Sequence, residues 1–248
     1  MAAPVPGWLP AAFAAPPGVR AGTTTRVGGV SAGALASLNL AAHVGDDPAA
    51  VATNRARLRA ALALPAEPLW LSQVHGTAVA VHDGRADLPV ADAAVAFEPG
   101  RVLAVLTADC LPVVFASRDG RRIGVAHAGW RGLLAGVLER TVEALGVPGA
   151  DLVAWLGPAI GPAAFEVGDE VRAAFVAAAP ADAPCFAPNA RGRWQADLAA
   201  LARARLARAG LTGVAAAGGC TYAEAGRFYS HRRDPASGRQ ATLVWRAA

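Results

Sequence analysis

The stretch that decides the fold runs over residues 101–128, RVLAVLTADCLPVVFASRDGRRIGVAHA. Three apolar runs follow one another there, RVLAVLTADC, LPVVFASRDG and IGVAHAG, bounded by Gly, Asp and Pro in the manner of β-strands. Residues 112 to 127 read as a hairpin turning at Asp119-Gly120. The links between these runs are too short for the crossover helix that parallel neighbours need, so the sheets are mixed or antiparallel.

Upstream, PLWLSQVHG, TAVAVHDG and ADAAVAFEPG read as further strands. Before them, Asp46 or Asp47 can cap a helix that has Pro48 near its first position and runs over 48–63, ending before Pro65. The segment TTTRVGGVSAGALASLNLAAHVGDDP is strand and ordered loop. Downstream, GLLAGVLERTVEALG is helical until Gly146 and Pro148, and DLVAWLG is a strand closed by the turn GPAIGP. EVGDEVRAAFVAAA and WQADLAALARARLARAG are helices flanking a loop over 180–193, and QATLVW is the last strand. With no repeat and no linker, residues 1–248 form one α+β domain of mixed β-sheets and helices.

The composition narrows the function. Of 248 residues, 54% are hydrophobic and 17% charged, which describes a globular chain with a large core. There is no lysine, so all 23 basic residues are Arg, and pyridoxal, Walker-type and lysine-nucleophile chemistries are excluded. A net charge of +4 is too small to imply nucleic-acid binding, and Arg203, Arg205 and Arg208 read as the solvated face of a helix. Three widely spaced cysteines, Cys110, Cys185 and Cys220, argue against a disulfide framework. An opening without a basic or apolar leader, and no apolar run of membrane length, point to the cytoplasm and away from membranes.

Chemistry concentrates at the histidines. His82, in VHDG, reads as an exposed loop residue. His75 in QVHG, Cys110 in TADC and His127 in HAGWRG each stand where a β-like run meets a turn, the place where side chains reach a cleft. Two imidazoles and a thiolate make a three-ligand set that leaves a catalytic zinc its fourth position. Their separations of 35 and 17 residues match no compact zinc motif. The same residues also read as a buried structural cysteine with core histidines, or as a thiol nucleophile, Cys110, activated by His127 with Asp109 beside it.

Taken in order, TTTRVGGVS, LNL, QVHG, TADCLPV, HAGWRG, GPAIGP and FYSHRRD resemble the YfiH/YlmD family over about residues 20 to 246. These laccase-domain proteins were first called multicopper polyphenol oxidases and later purine nucleoside phosphorylases. The resemblance implies sheets packed between helices in α/β/β/α-like layers, and zinc held by His75, Cys110 and His127. It also implies phosphorolysis of adenosine, inosine and methylthioadenosine, with adenosine deaminase activity alongside. A cysteine-dependent hydrolase editing a peptidoglycan precursor is a further role attached to bacterial members. The oldest name fails a count: a four-copper centre needs roughly ten histidines, and this chain has five. Copper could still occupy the same three ligands.

Phosphorolysis needs a phosphate clamp, for which only arginine is at hand, and a proton for the departing purine. Arg26 beside a Gly-rich loop, Arg131 after GW, and Arg232 in FYSHRRD are candidates, each with a surface or structural role as the plainer reading. Asn39 and His43 in LNLAAH resemble family positions near the substrate. Tyr229, His231 and Arg232 are expected to close one wall of the site, with His231 facing substrate rather than metal. Deamination uses the metal to activate water. No H-x-E of the cytidine-deaminase kind occurs here, and Asp109 reaches the metal only if the chain turns at ADC, anchoring a loop otherwise.

Overall fold

The computed structural model describes residues 7–85 and 87–247, so the leaderless reading of residues 1–6 lies outside the described residues. Strands β1 (Trp8–Pro10), β2 (Val19–Thr24), β3 (Val79–Val81), β4 (Ala93–Ala96), β5 (Val102–Thr107), β6 (Leu111–Ser117) and β7 (Ile123–Ala128) lie in the first half. β8 (Leu152–Leu156), β9 (Glu166–Val167), β10 (Phe186–Pro188), β11 (Trp194–Ala196), β12 (Gly213–Ala216) and β13 (Gln240–Arg246) follow. The α-helices are α1 (Pro48–Ala61), α2 (Trp130–Ala135), α3 (Val137–Leu145), α4 (Asp169–Ala178) and α5 (Leu198–Arg208). No helix among the described residues is long and apolar enough to cross a membrane.

One sheet has the order β1-β2-β13-β5 and is antiparallel throughout. A second has the order β12-β8-β6-β7-β4-β3, and its edge pairs β12/β8 and β3/β4 are parallel. The hairpin at 112–127 forms its centre, with Val114 opposite Val125. A small sheet β10-β11-β9 stands apart. The fold is therefore α+β with mixed sheets, as the short links between the central runs require.

Strand alternation explains the layers. On β5, Leu103 and Val105 join Val114, Val125, Trp155 and Val244 in a core between the two large sheets. Val102, Ala104 and Leu106 face the other way and pack with Leu58 and Leu62 at α1. Beyond the six-stranded sheet, Val113 and Phe115 meet Leu133, Leu138, Phe175 and Leu206 from the remaining helices. The order is helix, sheet, sheet, helices. Both faces of β5, β6 and β7 are buried, so these strands read as unbroken apolar runs.

Several local expectations change. PLWLSQVHG makes only isolated bridges, Leu69 with Leu103 and Ser72 with Val90, because the amides of residues 74–76 turn to a carboxylate instead of a neighbouring strand. The helix expected from GLLAGVLERTVEALG breaks into α2 and α3 at Gly136, whose φ of +100° favours glycine. The first residues of the next two expected helices pair instead as β9 and β11, and Asp197 caps α5 by accepting from the Ala200 amide. His82 is buried, not exposed, because its amide extends the ladder by donating to the Val95 carbonyl. In the arginine stretch Arg203 and Arg208 are exposed, as expected of a solvated face, but Arg205 is not. Arg205 is buried against Glu139 at 2.8 Å, and Arg208 pairs with the buried Asp182 at 2.7 Å.

Candidate active site

The period of two that builds the inter-sheet core also delivers side chains to its open end. Asp92 lies two residues before Ala94, Thr107 two after Val105, and His127 two after Val125, so all three continue faces that meet between the sheets. His127 is 3% exposed and Asp92 fully buried. The Asp92 Oδ1 accepts from His127 Nδ1 at 2.8 Å, which fixes the tautomer and leaves Nε2 as the free ligand nitrogen.

Asp92 also shapes the segment that carries His75. Its Oδ1 accepts from the His75 amide at 2.9 Å, and its Oδ2 accepts from the Gly76 amide at 2.6 Å and the Val74 amide at 3.2 Å. These bonds hold His75 at φ +60°, a region non-glycine residues seldom occupy. The third member arrives through a second such turn. Asp109 has φ +88°, and the chain bends there to present Cys110.

The ligand atoms of His75, Cys110 and His127 lie within 4.8 Å of one another, with Cys110 Sγ 3.8 Å from His75 Nε2. The two imidazoles meet edge to face at 4.7 Å. Gly129 makes room for them: a Cβ there would stand 2.8 Å from the His75 ring and 3.0 Å from Cys110 Sγ. Burial pushes the Cys110 thiol up, but the His127 charge and the hydrogen bonds from both histidines outweigh it and bring the pKa down to about 6. Burial pulls His127 down, yet the Cys110 thiolate and Asp92 raise it to about 9. An ionic, convergent N/S/N donor set with a carboxylate behind one imidazole is what a zinc or copper ion would take. None of the three cysteines forms a disulfide.

The cluster opens into a cavity of about 210 Å³ lined also by His43, Thr107, His231 and Arg239. His43 and His231 both line it beside the cluster. His231 Nδ1 donates to the Pro235 carbonyl at 3.1 Å, Nε2 has no hydrogen-bond partner among the described residues, and the ring is outside the ligand set. Burial and the nearby Arg239 and Arg55 charges lower the His43 pKa.

Other expected residues serve as supports. Asp109 turns its carboxylate to Thr221 Oγ1 and the Arg232 amide, both at 2.7 Å, and so anchors the C-terminal loop to the Cys110 turn. Asn39 is buried and braces Ala41, Asp46 and the Arg239 amide. Arg26 spends its guanidinium on the carbonyls of Ala36 and Ala225 and covers the Tyr229 ring. The Tyr229 hydroxyl donates to the Leu35 carbonyl, so this buried ring supports the wall without lining the cavity. Arg131 stacks on Trp130. Arg232 bonds the Glu166 carbonyl and lines a separate cavity with Cys220 and Tyr222. Sequence reading missed Asp92 and Arg239. The signal for the first was a lone acid heading the small-residue strand ADAAVA.

Comparison with known proteins agrees with this geometry. A family model described as multi-copper polyphenol oxidoreductase laccase matches residues 20–247. A purine nucleoside phosphorylase of Pseudomonas aeruginosa is 54% identical over 96% of this chain and 98% of its own length. The purine nucleoside phosphorylase YfiH of Escherichia coli is 49% identical over 93% and 95%. Among solved structures, a Neisseria meningitidis protein superposes with a TM-score of 0.93 at 45% identity, covering 98% of this chain and 100% of that one. YlmD of Geobacillus stearothermophilus gives 0.92 at 32% identity, covering 100% and 98%. On these matches, which span nearly the whole chain in sequence and in structure, the chain belongs to the YfiH/YlmD family.

Proposed function

We propose that the protein is a zinc-dependent purine nucleoside phosphorylase acting on adenosine, inosine and methylthioadenosine, with adenosine deaminase activity at the same site. The observation that carries this is the His75/Cys110/His127 cluster, opening into a cavity in a chain so similar to named phosphorylases. Zinc, when bound there, supplies Lewis-acid polarisation and water activation. A cavity of about 210 Å³ falls below the roughly 300–1,000 Å³ usual for small-molecule pockets. It therefore encloses part of a nucleoside and leaves the rest at its mouth.

In phosphorolysis a phosphate oxygen forms a bond to C1′ as the C1′–N9 bond breaks and its electron pair leaves with the purine. The base takes a proton, and ribose 1-phosphate is the second product. His231, anchored at Nδ1 on the Pro235 carbonyl and lining the cavity, is our candidate for exchanging that proton. Replacing His231 with Ala should lower kcat by about 100-fold, the low end for a lost general acid, and leave the zinc content unchanged. Loss of zinc in that variant would instead make His231 a ligand. Chromatography of adenosine or inosine reactions tests the function itself. Base release that requires phosphate and yields ribose 1-phosphate supports it, and release indifferent to phosphate makes the enzyme a hydrolase.

A second reading draws support from the description of the family model, which names a copper oxidoreductase. Two imidazoles and a thiolate suit copper as well as zinc. Five histidines limit it to single-site copper chemistry. Phenol oxidation by the copper-loaded protein, compared with phosphorolysis by the zinc-loaded protein, decides which metal serves turnover.

A further inference from the structure

Two groups in the cavity have no part in the chemistry above. Thr107 ends β5 and is 1% exposed, yet its hydroxyl has no hydrogen-bond partner among the described residues. Buried polar groups are nearly always paired, so an orphan lining a cavity marks a place where a ligand supplies the partner. Arg239 comes to the same sheet end because Gln240, the next residue, pairs with Thr107 across β13 and β5. Its Nη1 donates to the Ser237 and Gly238 carbonyls at 2.6 and 3.0 Å. Nε and Nη2 have no partner among the described residues, so the arm is braced while one edge of the guanidinium fork stays unpaired. Such an edge matches two oxygens of a phosphate. No carboxylate lines this cavity, and its one anionic group, the Cys110 thiolate, is the group that a bound zinc would neutralise.

We propose that Arg239 and Thr107 form an oxyanion subsite for orthophosphate in the cavity of the His75/Cys110/His127 cluster. Its role as the phosphate clamp of phosphorolysis rests on the reading above, while its capacity to bind phosphate does not. Arg239 supplies a permanent charge and two donors, and Thr107 adds a hydroxyl whose burial is then compensated.

The test is calorimetric titration of inorganic phosphate into the zinc-loaded protein, beside zinc content and the KM for nucleoside. Arg239→Met should weaken phosphate binding by about 10- to 100-fold, the scale of lost charge-assisted hydrogen bonds. Arg239→Lys keeps the charge without the fork and should lose less. Thr107→Val, nearly isosteric, should lose about 3- to 10-fold. Zinc content and the nucleoside KM should hold in all three. Phosphate binding unchanged in both Arg239→Met and Thr107→Val, or absent from the unmodified protein, overturns the subsite. A parallel titration with adenosine 5′-monophosphate separates the sources: Arg239-dependent binding of the nucleotide but not of orthophosphate also overturns it. Arg239-dependent phosphate binding in a protein that cleaves no nucleoside upholds the subsite and sinks the phosphorolysis reading. Phosphate-dependent turnover untouched by the substitutions does the reverse.

Discussion

Replacing Cys110 with alanine should empty the metal site and abolish turnover while the domain stays folded. Cys110 supplies the only anionic ligand of the cluster, since the other members are imidazoles. Removing it should cost metal affinity more than about 100-fold, beyond the 10- to 100-fold typical of an outer-shell partner. The side chain is half-buried at the cavity edge rather than packed in the core, so its truncation leaves the layers intact. Elemental analysis of protein purified without added metal should find about one zinc per chain in the unmodified protein and almost none in Cys110→Ala. Full metal retention in the variant would sink the ligand assignment. The unmodified protein also tests the cysteine-dependent hydrolase. With the thiol brought down to about 6, Cys110 in metal-free protein should alkylate quickly at neutral pH, and bound zinc should protect it. A hydrolase would instead work without metal.

The central strands were legible because burial on both faces leaves unbroken apolar runs, as in Val102–Thr107 and Leu111–Ser117. The hairpin at Asp119-Gly120 and the helix starting at Pro48 were legible because turn and cap residues act locally. Motif resemblance found the triad, and spacing alone did not. Three residues, from a bridging segment, from the turn between β5 and β6 and from β7, converge only once the sheets are assembled, a long-range event that periodicity does not encode. The supports were hidden for the same reason. Arg26 looked like a clamp because a Gly-rich loop lies beside it, but the carbonyls of Ala36 and Ala225 occupy its guanidinium. Arg239 looked ordinary because its value comes from pairing of the following residue with the end of β5. Arg205 looked solvated because it stands among the arginines of one helix, while Glu139 of α3, which pairs with it, lies 66 residues away.

Asp92 should prove necessary for tight metal binding, although it is no ligand itself. Its two oxygens collect four donors: the amides of Val74, His75 and Gly76, and His127 Nδ1. Burial raises its pKa, but His127 and these amides more than reverse that, so the carboxylate is held below its ordinary range. Asp92→Asn tests charge and geometry together. One amide oxygen could still accept from His127 and the His75 amide. The amide nitrogen would then face the N–H groups of Val74 and Gly76, donor against donor, in a fully buried position. Each lost bond to a charged group is worth about 1.5–3 kcal/mol, and the Val74 and Gly76 amides would both lose their acceptor. We expect Asp92→Asn to lower stability by about 3–5 kcal/mol, measured by urea unfolding of the metal-free protein, and zinc affinity by about 10- to 100-fold. Asp92→Ala should be at least as damaging as Asn, because it removes the acceptor of all four donors. A fully stable, zinc-replete Asp92→Asn protein would mean that the 74–76 turn and the His127 tautomer are set by something other than this carboxylate.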